Sequence, residues 1–317
     1  YQTWYAAGGP YLITDDIHVC GNPMLPTGAR LTIEPGAEVY FMEGKSIWVG
    51  DAGSSCGEST LIADGSSGDP ILFTSAAASP QPGDWSSIVL QDNSLNNVIS
   101  NCIIEYGGAS GTAAMVEVLD DTTTIEDSAF AWSGAAGLRM EQALVDVSNC
   151  WIHDNLEAGL EVNDVPNYSE ISGCVINGND IGIRVLNGSE LEVGTSEINE
   201  NWATGVYVSY SDLTVTESDI IANGYYGYDI SGYGVTYSSG VLIYTLDDSD
   251  DVKFSPYNAI YGNMPGNPDV DYEYELINAS AYQVNATSNW WNTSDSQEIA
   301  ARILGSVDYS NYLPSAP

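Results

Sequence analysis

Four carboxylates alternate with apolar residues along Asp269-Val270-Asp271-Tyr272-Glu273-Tyr274-Glu275. Strand periodicity puts Asp269, Asp271, Glu273 and Glu275 on one face and the apolar residues on the other. Several hard oxygen donors together are the chemistry of calcium. Carboxylates two apart on a strand stand ~7 Å from each other, so chelation there needs donors from a neighbouring coil or chain, and a solvated acidic face is the alternative. No other cofactor is expected. The adjacent pairs Asp120-Asp121, Asp247-Asp248 and Asp250-Asp251 invite comparison with a glycoside hydrolase, which needs two carboxylates at a set separation. With 44 Asp and Glu in the chain some pair meets that requirement by chance. His18 and His153 share no spacing with a cysteine or acid pair that makes a zinc site, and H-E-x-x-H, G-x-S-x-G, P-loop and dinucleotide fingerprints are all absent from the sequence. A polyuronate lyase needs a cationic or calcium clamp and a base. Only Arg139 and Arg184 fall where a substrate would lie, and each has an acidic neighbour.

Six Lys and Arg against those acids give a formal net charge of −38 over 317 residues. Such a chain is repelled by phosphate backbones and anionic lipid, which excludes nucleic acid as a partner. Membrane insertion is not expected either, because no apolar run approaches the ~18 residues of a span. The 44% hydrophobic content is too high for disorder. The charge calls for high salt, divalent cations or low pH, or else marks a solvated surface that keeps an exported chain soluble. Export is expected on other grounds: Tyr1 is not an initiator Met, no apolar leader follows it, and five sequons occur, at Asn167, Asn187, Asn278, Asn285 and Asn292. Five cysteines leave at least one unpaired in a monomer. Cys20 and Cys56 stand apart from the others and are the pair available for a disulfide.

The elements that must position these groups show as a repeat. Asn101-Cys102-Ile103-Ile104, Asp127-Ser128-Ala129-Phe130, Asn149-Cys150-Trp151-Ile152, Gly173-Cys174-Val175-Ile176, Thr195-Ser196-Glu197-Ile198 and Glu217-Ser218-Asp219-Ile220 recur every 22 to 26 residues. That period suits a leucine-rich repeat or one turn of a β-solenoid. The absence of a 3.6-residue apolar stripe and the presence of two β-rich stretches per unit favour short strands. Period 2 sends two columns inward, the Cys/Ser column and the column Ile104, Phe130, Ile152, Ile176, Ile198 and Ile220. Asn155, Asn179, Asn201 and Asn223 are expected to turn corners in the left-handed conformation. Gly159, Gly182, Gly205 and Gly227 then open the next strands. The middle residues of those strands, Glu117, Arg139, Glu161, Arg184, Tyr207 and Asp229, face out and read as a stabilising charge ladder. Cys150 and Cys174, one coil apart, are expected as buried free thiols, with a strained inter-coil disulfide as the alternative.

Beside the cysteine column, Ile103, Ala129, Trp151 and Val175 form an outward apolar strip. It is either covered by the loops 76–84 and 231–240 or used as an interface. Trp132, Trp202, Tyr225 and Tyr226 gather near the corners, where they could stack on sugar rings.

Gly28-Ala29-Arg30-Leu31-Thr32-Ile33-Glu34-Pro35-Gly36, Ser46-Ile47-Trp48-Val49-Gly50, Pro70-Ile71-Leu72-Phe73 and Gly83-Asp84-Trp85 resemble the opening coils of secreted right-handed parallel β-helix repeat proteins of bacteria and archaea. Asn289-Trp290-Trp291-Asn292-Thr293 resembles that family's closing Asn-Trp-Trp-Gly-Thr, with Asn292 in the glycine's place. The resemblance implies an all-β, right-handed parallel β-helix, a solenoid of about ten coils over 28–293. Residues 1–27 are then an N-terminal segment or cap, and 294–317 a short capping helix and tail. That helix is expected to start in a capping box at Ser294, to present Ile299 and Ile303 on one face and to stop at Gly305. The architecture hosts lyases, hydrolases, adhesins and structural proteins alike. The acid pairs lack the His-Gly and Arg-x-Lys motifs of β-helix polygalacturonases. The expected function is a non-catalytic extracellular or cell-surface protein that contacts copies of itself, as in a surface layer, sheath or filament, or envelope glycans. A secreted polysaccharide lyase or glycoside hydrolase acting across the coil face, and a soluble glycan-binding module, are the alternatives.

Overall fold

Short alternating stretches separated by tight corners wind the chain into a right-handed parallel β-helix of about eleven turns, with one short helix near the C-terminus. The computed structural model describes residues 1–317 except 25–27, 54, 120–121, 227–236 and 264–271. The chain divides into two compact units, Tyr1–Glu157 and Ala158–Pro317. In each unit a strand pairs in parallel with the strand three places later in the chain, one full turn on, so three sheets grow side by side. The right hand follows from the twist of strands joined by a crossover in one sheet.

In the first unit the stack begins at Gln2 and not at Gly28. Gln2–Trp4, Tyr11–Ile13 and Ile17–Val19 pair with Ala29–Ile33, Glu38–Phe41 and Ile47–Val49. The N-terminal residues therefore form a coil of their own, which accounts for a turn count above ten. Ile104, Phe130 and Ile152 stack in register with no exposed surface, and complete burial of each such side chain contributes ~1.5–3 kcal/mol. Cys102, Ser128 and Cys150 lie behind them, the two cysteines as free buried thiols. Burial pushes the Cys102 thiol up to about 12, where it behaves as a small hydrophobe.

In the second unit Ile176, Ile198 and Ile220 repeat the column. Cys174, the third free cysteine, is buried there. The asparagines do not turn the corners. The left-handed residues are the ones before them, Asp154 in the first unit and Glu200 and Ala222 in the second, with φ of 54°, 53° and 58°. The asparagine side chains instead point inward and bond along the stack. Asn201 Oδ1 accepts both the backbone N–H and the amide of Asn179, at 3.1 Å each, and Asn223 and Asn263 continue the row. A buried amide is fully used this way, whereas at a solvated corner it contributes only local turn preference. The glycines sit over these amides. A Cβ on Gly182 would lie 2.4 Å from the Gly205 carbonyl oxygen and 2.8 Å from Asn201 Nδ2. Gly227 falls outside the described residues, as do Tyr228, Asp229 and Ile230. The place after Gly205 belongs to Gly240, whose strand Tyr237–Thr245 sets Val241 opposite Val206 and Leu242 opposite Tyr207.

The helix runs Ser296–Ala301. Its N-cap is Asp295, one residue later than the sequence indicated, because that carboxylate accepts from the N–H groups of Gln297 and Glu298. Ile303 belongs to the two-residue strand Ile303–Leu304, paired to Leu276 and Ile277, and not to the helix. Asn292 takes φ of 56°, a left-handed conformation that Asn tolerates better than most side-chain-bearing residues.

Candidate functional site

The outer wall of the second sheet in the first unit carries the richest arrangement of side chains. Strand register aligns Leu72, Ile103, Ala129 and Trp151 in one outward row, with neighbours ~4.8 Å apart. One corner earlier, Asn101, Asp127 and Asn149 turn the chain from the first sheet into the second, each left-handed, with φ of 50°, 49° and 53°. Asn and Asp tolerate that conformation best among side-chain-bearing residues. The same repeat position thus supplies the corner and a row of polar side chains. Between the apolar row and the polar row lies an open groove of about 370 Å³, lined also by Ser66, Ser67 and Pro70 of the preceding turn.

Among the described residues the loop 76–84 does not cover the strip. Trp151 is 50% exposed. The loop 76–84 runs elsewhere: Gly83 approaches Gly108 and Gly134 at a different corner, and Ser75 and Gln81 bond to Asp84. Of the loop 231–240, residues 231–236 fall outside the described residues.

The next outward row continues the site. Glu105, Ala131 and His153 are in register, and Thr74 Oγ1 donates to Glu105 Oε1 at 2.7 Å. The following corner is left-handed at Tyr106, Trp132 and Asp154, an uncommon conformation for rings of that size. It turns the rings onto the wall. Tyr106 and Trp132 stack at 5.1 Å, Trp132 meets His153 edge-on at 5.6 Å, and Trp151 stacks on His153 at 3.7 Å. His153 is thereby reduced to 7% exposure, with Nδ1 held 2.8 Å from Asp154 Oδ2. Burial, and then the charge of Glu105, raise the Tyr106 phenol above its ordinary value. A wall of ring faces beside amides and carboxylates can stack on the apolar face of a pyranose and bond its hydroxyls.

A second aromatic set lies in the second unit. Trp202 stacks on Tyr226 at 5.4 Å and meets Tyr225 edge-on at 5.8 Å, and all three rings are exposed. Trp202 Nε1 is anchored to the Gly178 carbonyl at 3.1 Å.

All six basic residues are engaged. Arg139 bonds Glu117 at 2.8 Å and also pairs with Glu141, and Arg184 bonds Glu161 at 3.0 Å. Lys253 pairs with Asp251, Lys45 lies 3.7 Å from Asp15, and Arg302 lies 3.7 Å from Glu275. The Arg30 guanidinium lies 5.8 Å from the centre of the Tyr1 ring. The ladder positions thus bind their cations to carboxylates within each unit.

Of the acidic strand face, only Glu273 and Glu275 lie among the described residues. Asp269 and Asp271 fall outside the described residues. Glu275 turns inward and is wholly buried, accepting from Gly262 and Asn263, while Glu273 stands opposite Ser238. Among the described residues no three His, Cys, Asp or Glu side chains are grouped to hold a metal. Asp120 and Asp121 also fall outside the described residues. Asp247 accepts from Ser249, and Asp250 accepts from the Asp247 N–H. Val175 lies in the second unit, half-buried and opposite Glu197. Cys20 and Cys56 are joined as a disulfide. Of the sequons, Asn278 is buried and its amide is bonded to the Tyr282 and Ser306 carbonyls, which leaves no room for a glycan. Asn167, Asn187 and Asn292 are exposed and Asn285 is half-buried.

The row Asn101, Asp127 and Asn149 was visible in the sequence only as the opening letters of three repeats. Tyr106 and the packing of His153 against Trp151 and the edge of Trp132 left no signal beyond their place after each strand.

The family model described as right handed beta helix region matches residues 114–247. That match agrees with the right-handed parallel β-helix seen in the structure. No curated protein matches the sequence. Among solved structures, an alginate lyase from Paenibacillus sp. str. FPU-7 is 11% identical over 94% of this chain and 99% of its own, with a TM-score of 0.46. The pectate lyase Pel9A is 13% identical over 97% and 79%, with a TM-score of 0.43. The tailspike protein gp49 from Acinetobacter baumannii bacteriophage Fri1, a capsular polysaccharide depolymerase, is 9% identical over 99% and 64%, with a TM-score of 0.44. No helix is long and apolar enough to cross a membrane among the described residues.

Proposed function

We propose that this chain is a non-catalytic extracellular or cell-surface protein that holds a glycan across the turns of its first unit. The observation that carries the reading is the open groove between the apolar row Ile103, Ala129 and Trp151 and the polar row Asn101, Asp127 and Asn149. Its rows advance by one coil spacing of ~4.8 Å, a step close to the length of a sugar ring, so successive sugars meet the same surface. The Cys20–Cys56 disulfide supports an oxidising compartment. Turnover of a uronate chain would call for a cation to bind its carboxylate, and each basic side chain here already has an acidic or aromatic partner.

The test is a panel of polysaccharides and oligosaccharides titrated against intrinsic tryptophan fluorescence, with reducing-end and unsaturated-product assays run on the same samples. Saturable binding that disappears in Trp151→Ala, without product, is the expected result. Product formation would replace this reading with an enzyme. Absence of binding across the panel, combined with oligomers in light scattering that Trp151→Ala dissolves, would make the strip a contact between copies of the chain.

A further inference from the structure

We infer that the groove of the first unit selects neutral, hydroxyl-bearing glycans against uronate chains, and that Asp127 sets the choice. The inference rests on the glycan-contact reading above and names the class of glycan. Backbone bonds put the corner residues in register: the Asn101 N–H donates to the Glu126 carbonyl and the Asp127 N–H to the Ser148 carbonyl, one coil on each time. The polar wall therefore steps from Asn101 to Asp127 to Asn149 at the coil spacing. Asn101 gives its amide to Ser100 Oγ at 3.0 Å and keeps an acceptor oxygen. Asp127, at the middle of the wall, is exposed, and among the described residues no N–H or O–H donates to its carboxylate.

The charge around that acceptor has one sign. No Lys, Arg or His lines the groove, and the basic residues of this unit are held elsewhere, on Tyr1, Asp15, Glu117 and Glu141. Asp64 acts on the same place, its charge opposing ionisation of the Cys102 thiol in the groove lining. Asp69 is exposed between Ser67 and Pro70 of the rim. A carboxylate that only accepts is satisfied by sugar hydroxyls, each an O–H donor, and two neighbouring hydroxyls can reach its two oxygens. A uronate carries a carboxylate where the neutral sugar carries a hydroxymethyl group. It brings one donor fewer and sets like charges against each other with no cation between them. A concave site with an apolar wall makes that repulsion stronger than on open surface.

A chain at −38 repels polyanions over its whole surface, so the experiment must separate the groove from the net charge. The full chain is titrated with pairs of hexasaccharides that share ring and linkage and differ only at C6: glucose with glucuronate, galactose with galacturonate, mannose with mannuronate. Physiological ionic strength screens long-range repulsion, and a chelator keeps divalent cations from joining two carboxylates. At least one neutral hexamer is expected to bind, about tenfold more tightly than its acid partner. Asp127→Asn closes that gap by tightening the acid hexamer. Asn already holds this left-handed corner in the coils on either side, at Asn101 and Asn149, so the variant keeps the backbone, and circular dichroism checks it. Asp248→Asn, which removes one exposed charge in the second unit, leaves the gap open. Equal affinity within every pair, a tighter acid hexamer, a gap that survives Asp127→Asn, or equal narrowing by both variants overturns selection by Asp127, while Trp151-dependent binding keeps the glycan reading. Failure of every hexamer to bind overturns both.

Discussion

Asn263 gives both its backbone N–H and its side-chain amide to Glu275 Oε2, each at 2.9 Å. This is the geometry by which Asn179 binds Asn201, Asn201 binds Asn223 and Asn223 binds Asn263. A carboxylate oxygen replaces the amide oxygen at the end of the row. Its other oxygen accepts from the Gly262 N–H at 3.0 Å. Burial raises the Glu275 carboxyl above its ordinary value, against the opposing pull of these hydrogen bonds and of Arg302.

Removing that acceptor leaves two buried donors of Asn263 unpaired. Glu275→Ala is expected to lower stability by about 2–4 kcal/mol, read by urea unfolding. The pH dependence has a defined sign. The folded value lies above the ordinary value of 4.5, so the stability Glu275 contributes is fully present below that value and is lost as pH rises through the raised one. The cost of Glu275→Ala should therefore be larger in acid than at neutral pH. A cost that grows with rising pH would contradict the assignment.

The glycine row makes a second, independent claim on the same amides. Gly182→Ala puts a methyl group against the backbone carbonyl of Gly205, which cannot yield as a flexible side chain would. A loss of about 1–3 kcal/mol is expected. By contrast Gly68→Ala meets no atom within 4 Å and should be nearly silent. Equal effects of the two, measured by thermal denaturation, would mean that backbone entropy and not the amide row sets the requirement.

How far these features could be read in advance depended on whether the signal lay in residue type or in direction. The inward column Ile104, Phe130 and Ile152 was legible because period 2 within strands and a 22- to 26-residue period between them leave apolar residues at fixed places. Tyr228-Asp229-Ile230 misled because it alternates as Val241-Leu242-Ile243 does. Val241, Leu242 and Ile243 are the residues that pair with Val206, Tyr207 and Val208, and Gly240 before them sits over Asn263. Asn179, Asn201 and Asn223 were assigned to corners on their tolerance of left-handed backbone, whereas a buried amide that bonds its copies at every turn is the stronger demand. The same preference was real one corner away, at Asn101 and Asn149, and there it built the wall of the groove. Glu275 looked solvated because acids usually are, and only its partners reveal why it is not.

The Cys20–Cys56 disulfide spans 36 residues of the first unit. Closing a loop of that length restricts the unfolded chain and stabilises by about 2–4 kcal/mol. Reduction, or Cys56→Ser, should lower the unfolding midpoint accordingly. Local order around residue 56 should persist, because Asp51 accepts from the Ser55 and Cys56 N–H groups and Asn93 donates to Asp51 at 2.6 Å. Hydrogen exchange in which that segment opens freely once reduced would show that the bridge, and not the Asp51 network, holds it.

The sequons differ in what their amides already do. N-glycosylation modifies the side-chain nitrogen, and that of Asn278 donates to the Tyr282 and Ser306 carbonyls at 2.7 Å each in a residue only 3% exposed. A chain carrying sugar there loses both bonds and must expel the side chain from the coil. Asn167 and Asn292 are exposed. Asn187 is also exposed, but its nitrogen donates to Asn163 Oδ1 at 2.6 Å, so a glycan on it displaces one surface hydrogen bond. Expressed in a glycosylating host, the folded, secreted fraction should carry glycan at Asn167 or Asn292 first, at Asn187 less, and at Asn278 not at all. Peptide mass mapping before and after enzymatic deglycosylation reads this directly. Glycan on Asn278 in the folded fraction would mean that the coil around Tyr272–Asn278 and Ser306 is packed differently.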